Sequence, residues 1–188
     1  MSHRTRVAAI GAAALALAAV PAAEASAAKV SLAGGATTLK LSSTAAGALQ
    51  SLGIAAAPIS PATAAKGGLA FPVRTGRVDA KTLAGSIRHS GGIRLSKGAT
   101  KVALRSFTIR IDKRPDLTAK VGGTRVSILN LDLSKAKVTI KGKRVTVAGV
   151  GATLTRPAAR ALNAAFATNA FKKGLDVGTA TVRTRIAG

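Results

Sequence analysis

From Val102 onward, apolar residues recur at every second position, the spacing that places them on one face of a strand. In KVALRSFTIRID, residues 101–112, Val102 and Leu104 share one parity while Phe107, Ile109 and Ile111 share the other. The inward face therefore changes register at Arg105 and Ser106, and a β-bulge there would reconcile the two halves. Leu117, Ala119 and Val121 precede Gly122–Gly123, and Val126 and Ile128 follow, which predicts a hairpin with a positive-φ turn. Val138 and Ile140, then KGKR, then Val145 and Val147 predict a second hairpin with a charged turn. Leu69, Phe71 and Val73 also alternate. Pro72 lacks a backbone donor and so puts that strand at a sheet edge. In TATVRTRI, residues 179–186, Val182, Thr184 and Ile186 face one way and Arg183 and Arg185 the other, as in a sheet with one solvated side.

Two segments break the strand pattern in the same way. LSSTAAGALQ from Leu41 aligns without gaps on LTRPAARALN from Leu154, and each follows an extended run. Ser42 and Thr155 suit helix N-caps and Pro157 a first helical turn. Ala45, Ala48, Leu49 and Leu52, and in the second copy Ala158, Ala161, Leu162 and Phe166, give each helix one narrow face to bury. Duplication and convergence from an Ala-rich composition both account for the likeness. The expected fold is a mostly antiparallel β-sandwich with two short Ala-rich helices at opposite ends of one domain.

The N-terminus belongs to none of this. MSHRTR leads into the apolar run VAAIGAAALALAAV and then PAAEASAA, the order of a secretory signal peptide. The run is shorter than the roughly 20 residues of a membrane span. Cleavage is expected after Ala27, or else after Ala25, leaving a single domain over residues 28–188 with no transmembrane segment. The chain contains no cysteine, so the exported domain has no disulfide and relies on its core. Of 29 basic and 6 acidic residues, only Arg4, Arg6 and Glu24 lie in the first 27 positions, so the mature chain keeps close to the formal net charge of +23. Such a polycation attracts nucleic acid, anionic lipid and wall polyanions alike, all in a salt-dependent way. Dedicated nucleic-acid recognition is not expected, because the chain has neither Tyr nor Trp to stack on bases.

Candidate chemistry is sparse. Residues 28–188 contain one histidine, His89, no glutamate, and the five aspartates Asp79, Asp112, Asp116, Asp132 and Asp176. No nucleophile–base motif, phosphate loop or metal-ligand spacing is present, so no enzyme activity is expected. His89 stands in SIRHSGGIRLS, residues 86–96, where Ile87 and His89 share one strand face and Arg88 and Ser90 the other. It should point inward beside the kink that Gly91 and Gly92 permit. A hydrogen-bonded core residue, a ligand contact and a pH sensor are the three readings of such an imidazole.

The His-and-glycine cluster, the alternating strand after it and FTIRID together resemble the HtaA domain of secreted Gram-positive haem-uptake proteins, best over about residues 69 to 133. The resemblance implies a mostly antiparallel β domain and haem as a ligand. It also implies an iron-holding tyrosine supported by a histidine. Only the histidine has a counterpart, His89, which would be the metal ligand if haem is bound; the chain contains no tyrosine. The family's tryptophan-bearing opening segment is absent too. Arg88 and Arg94 are candidates for the anionic groups of haem or another ligand. The expected function is a secreted, non-enzymatic binding module at the cell envelope. The alternative is a basic structural or adhesive protein held electrostatically to envelope polyanions.

N-terminal sequencing of the secreted protein should begin near Ala28. Folded extracellular material that still carries Met1 would contradict the export reading.

Overall fold

The computed structural model describes residues 28–66 and 68–187; the expected signal peptide lies outside the described residues. Among the described residues, the alternating segments form twelve strands. In chain order they are β1 (Lys29–Leu41), β2 (Ala55–Ile59), β3 (Thr63–Ala65), β4 (Gly68–Asp79), β5 (Gly85–His89), β6 (Gly92–Lys97), β7 (Thr100–Ile111), β8 (Asp116–Val121), β9 (Thr124–Asp132), β10 (Lys137–Lys141), β11 (Arg144–Leu154) and β12 (Asp176–Ile186). Two helices interrupt them, α1 (Ser43–Ser51) after β1 and α2 (Arg156–Phe166) after β11.

The hydrogen-bonded order runs β7-β5-β4-β1-β12-β11-β9-β8, and β8 pairs back onto β7. Eight antiparallel strands thus close into a barrel, which corrects the expected sandwich. The reason is that β7 bonds on both edges, to β5 over Thr108–Ile111 and to β8 over Arg105–Arg110, so the sheet meets itself and no second sheet stacks on it. Alternation alone does not separate the two architectures, since both bury every second residue. The remaining strands attach outside this ring: β6 and then β2 on β7, β3 on β4, and β10 on β11.

The bulge occurs where the parity change places it. Ser106 has φ +52°, and the β7–β8 register shifts between Arg105 and Thr108. On its other edge β7 pairs with β6 through Arg105 and with β5 from Thr108 onward. The chain therefore steps from β5 to β6 along one edge of β7, through Ser90 and Gly91. Gly91 has φ +80°, and its carbonyl accepts the Ser106 N–H at 3.1 Å. Bulge and glycine step face each other across that hydrogen bond. Leu104, Phe107 and Ile109 are consequently all buried despite their differing parity.

Pro72 requires a correction. Its strand, β4, is not at an edge but lies between β1 and β5. On the β5 side, however, β3 pairs only over Gly68–Ala70 and β5 only from Val73 onward. The missing N–H falls in this gap, and the Pro72 carbonyl accepts the Ser90 N–H at 3.0 Å. Both expected hairpins form, with Gly122 (φ +55°) and Gly123 (φ +88°) turning β8 into β9, and Gly142 (φ +57°) turning β10 into β11.

The helix caps also form as expected. Ser42 Oγ accepts the Ala45 N–H at 3.0 Å and Thr155 Oγ1 the Ala158 N–H at 3.2 Å. Their placement is different. β1 and β11 both run antiparallel to β12 and hence parallel to each other. Both helices therefore leave the same end of the barrel, not opposite ends. Bonds from Ser42 N–H to the Val177 carbonyl and from Leu154 N–H to the Leu175 carbonyl tie them to the start of β12. In α2 the buried face is Ala158, Ala159, Leu162 and Phe166, with Ala161 exposed; in α1 only Ala45 is fully buried.

An alanine at position 91 would put its Cβ 2.5 Å from the Ala62 nitrogen and 2.7 Å from the Ile59 carbonyl oxygen, on a backbone already at positive φ. Gly91→Ala should therefore destabilise the fold by about 2 to 4 kcal/mol in urea unfolding. A change inside about 0.5 kcal/mol would mean that the β5–β6 step is not built as described.

Candidate functional site

Strand alternation decides where the candidate residues point. In β5, Ile87 and His89 are buried and Arg88 is exposed; in β6, Ile93 and Leu95 are buried and Arg94 is exposed. The barrel wall thus separates His89 from Arg88 and Arg94. Inside, His89 Nε2 lies 2.6 Å from Thr37 Oγ1, a contact between β5 and β1. Thr37 is itself only 4% exposed and stands across from Phe71 in β4 and Val182 in β12. Phe71 and Phe107 meet edge to face beside this pair, with ring centroids 4.9 Å apart.

The imidazole has one partner and one orphan. Nδ1 is buried with no hydrogen bond. Burial penalises the charged ring and holds its pKa near 4, against the usual 6.5; the Phe107 backbone opposes this shift without reaching hydrogen-bond geometry at Nδ1. His89 is therefore neutral at pH 7. Whichever tautomer it adopts, the Thr37 hydroxyl satisfies Nε2 and leaves Nδ1 unsatisfied.

Next to the pair, the barrel interior holds a cavity of about 160 Å³. It is bounded by aliphatic and aromatic side chains, and Thr37 is the single polar residue among those lining it. Ala45 and Leu49 of α1 and Leu162 of α2 belong to the lining at the helical end.

The outer face has the opposite character. Arg105, Lys120 and Arg125 are paired in register across β7, β8 and β9, and all three are exposed. Like charges in such positions oppose the pairing of their strands. Arg125 is held in place, since its guanidinium donates to the Ser106 carbonyl at 3.2 Å, to Thr108 Oγ1 at 3.2 Å and to Thr118 Oγ1 at 3.0 Å, bracing the bulge. Arg88 stands directly across from Thr108 on the same face. Among the described residues one ion pair occurs, Arg110 with Asp116, made through two hydrogen bonds of 2.8 and 2.7 Å. The Arg110 hydrogen bond, ahead of its charge, holds the Asp116 carboxyl below its ordinary pKa. Asp112 accepts the Arg114 N–H at 2.7 Å, a turn role. Among the described residues no group of three His, Cys, Asp or Glu side chains could hold a metal ion, and no helix is long and apolar enough to cross a membrane.

Sequence reasoning missed Thr37 and Arg125. The parity of Thr37 with Leu39 and Leu41 marks it as inward-facing, a polar residue in an apolar row. Arg125 carries no such signal, because only the fold brings it over the bulge.

Comparison with known proteins adds an independent line. The HtaA family model, described as Htaa, matches residues 21–176. The C-terminal domain of HtaA from Corynebacterium glutamicum superposes with a TM-score of 0.64 at 15% identity, covering 84% of this chain and 99% of that one. A domain-swapped dimer of a histidine-to-alanine variant of the same domain gives 0.55 at 15% identity, over 76% and 87% of the two chains. The haem-binding protein HtaB of that organism gives 0.48 at 11% identity, over 85% and 96%. No curated protein matches. At these identities the structural likeness is one of fold.

The His89 pKa has a sign that can be tested. It is lower in the folded state than the unfolded value of 6.5, so the unfolded chain takes up the proton first. The stability linked to neutral His89 is complete above about pH 6.5 and falls by roughly 3 kcal/mol as pH drops to about 4. Unfolding measured across that window should show the slope, and His89→Leu should flatten it. An imidazole NMR titration with a midpoint near 6.5 would contradict the buried, neutral assignment.

Proposed function

The chain belongs to the HtaA family, and from that premise we propose that it is a secreted, non-enzymatic binding module of the cell envelope, acting as one domain over residues 28–188 and taking an anionic ligand on its cationic outer face. The observation that carries this reading is the in-register row Arg105, Lys120 and Arg125, with Arg88 beside it, on strands that gain nothing from such charges being adjacent. Arg94, outward on β6, extends the same surface. Carboxylates and phosphates are the groups such arginines recognise.

Haem is the ligand the family implies, and it is compatible with this surface through its two propionates. Iron ligation is another matter. His89 faces the interior, its Nε2 is engaged by Thr37, and the adjoining cavity of about 160 Å³ is roughly half the ~300 Å³ at which pockets for drug-sized ligands begin. With no tyrosine in the chain, the residues of the closed barrel do not fit a haem held by its iron. Retention on envelope polyanions by charge alone is the second reading, supported by the net charge of +23.

Haemin titrated into the mature protein should give a shift of its Soret band that weakens as salt is raised and survives His89→Ala, whereas combined replacement of Arg88, Arg105 and Lys120 by Gln should reduce it. A saturable, salt-resistant shift abolished by His89→Ala would overturn this assignment and establish iron ligation. Strong retention on isolated cell walls, unaffected by the three Gln substitutions, would favour the polyanion reading.

A further inference from the structure

The interior cavity is not used by an outer-face ligand, and its chemistry is unlike that of the surface. We propose that it is a second binding site, for a compact, uncharged, apolar molecule of about benzene size. The inference rests on the binding-module reading only in that both sites belong to one module; it does not depend on what the outer face binds.

Size and lining argue for this ligand class. A space of about 160 Å³ walled by Leu, Ile, Val, Phe and Ala side chains is comparable to the engineered apolar cavity of ~150 Å³ that stays dry and admits benzene or xenon. Water is a poor occupant, because it needs two to four polar partners. The lining offers one polar residue, Thr37, whose hydroxyl is already bonded to His89. A charged or strongly polar ligand would be desolvated there without compensation.

The space arises at particular positions. The inward-facing residues of β11 include Val150, Ala152 and Leu154, and those of β12 include Ala180 and Val182; all are buried, and the two alanines are smaller than the valines and the leucine beside them. Ala45, the one fully buried residue of α1, also lines the cavity. Replacing any of these three with a larger aliphatic residue would extend it into the void. The guest site is set by small residues on three elements, with α1 and α2 contributing to one end.

The test uses the mature protein, with benzene and xenon as probes. Benzene should raise the unfolding temperature saturably, by a few degrees, and xenon should give a concentration-dependent ¹²⁹Xe shift. Ala152→Leu and Ala180→Leu should each abolish both effects, whereas Val138→Ser, at an exposed position on β10, should leave them unchanged. No saturable response in the unsubstituted protein, or an undiminished one in a folded Leu variant, would overturn the proposal. Should neither Leu variant fold, methyl NMR of the unsubstituted protein decides. Benzene-induced shifts concentrated at Leu49, Ile109 and Leu162 support the site, and shifts absent there or spread over the surface refute it. Haemin and cell-wall binding measured on the same variants keep the two claims apart: a folded Leu variant that loses benzene should retain its outer-face binding, and failure of outer-face binding in the unsubstituted protein counts against the module reading alone.

Discussion

Closing this barrel places one demand on β7, which must bond to β8 along one edge while serving β6 and then β5 along the other. A regular strand would have to keep one inward parity throughout its length. The extra residue at Ser106 lets the parity change, and the hydrogen bond from its N–H to the Gly91 carbonyl links that change to the step between β5 and β6. Much else follows from this junction. It directs Phe107 inward against Phe71, ends β5 at His89, and leaves a carbonyl at Ser106 for Arg125 to cover.

The wall formed in this way keeps two chemical environments apart. On its inner side are aliphatic side chains, the Phe71–Phe107 pair and one neutral imidazole whose only hydrogen-bond partner is a threonine. On its outer side are arginines and lysines, of which, among the described residues, only Arg110 forms an ion pair. Strand alternation alone produces this separation, since neighbouring residues such as Arg88 and His89 go to opposite faces. A ligand that uses the arginines by charge therefore does not meet the histidine, and a molecule inside the barrel does not meet the arginines. The one histidine of residues 28–188 is thus buried on the inner side of the wall, away from the arginines.

The exposed apolar residues fit the same frame. Val138 and Ile140 are 44% and 57% exposed because β10 pairs only with β11 and extends beyond the ring of eight strands. Lys137 and Lys141 bracket them, and charged ends of this kind keep an unpaired edge from joining other strands.

What the sequence by itself determined was local. The parity change at Arg105 and Ser106, the Gly122–Gly123 and KGKR hairpins, the caps at Ser42 and Thr155 and the inward aim of His89 all depend on residues a few positions apart, where side-chain periodicity and backbone preference act directly. Barrel closure, the placement of both helices at one end, the gap that accommodates Pro72, the Thr37–His89 bond across 52 positions and the cavity beside it were decided by tertiary structure. These depend on which strand edges meet. Edge pairing is made by backbone groups that every residue except proline carries, so the identity of the side chains does not name the partner, and only the folded wall brings Thr37, His89, Ala152 and Ala180 into one interior.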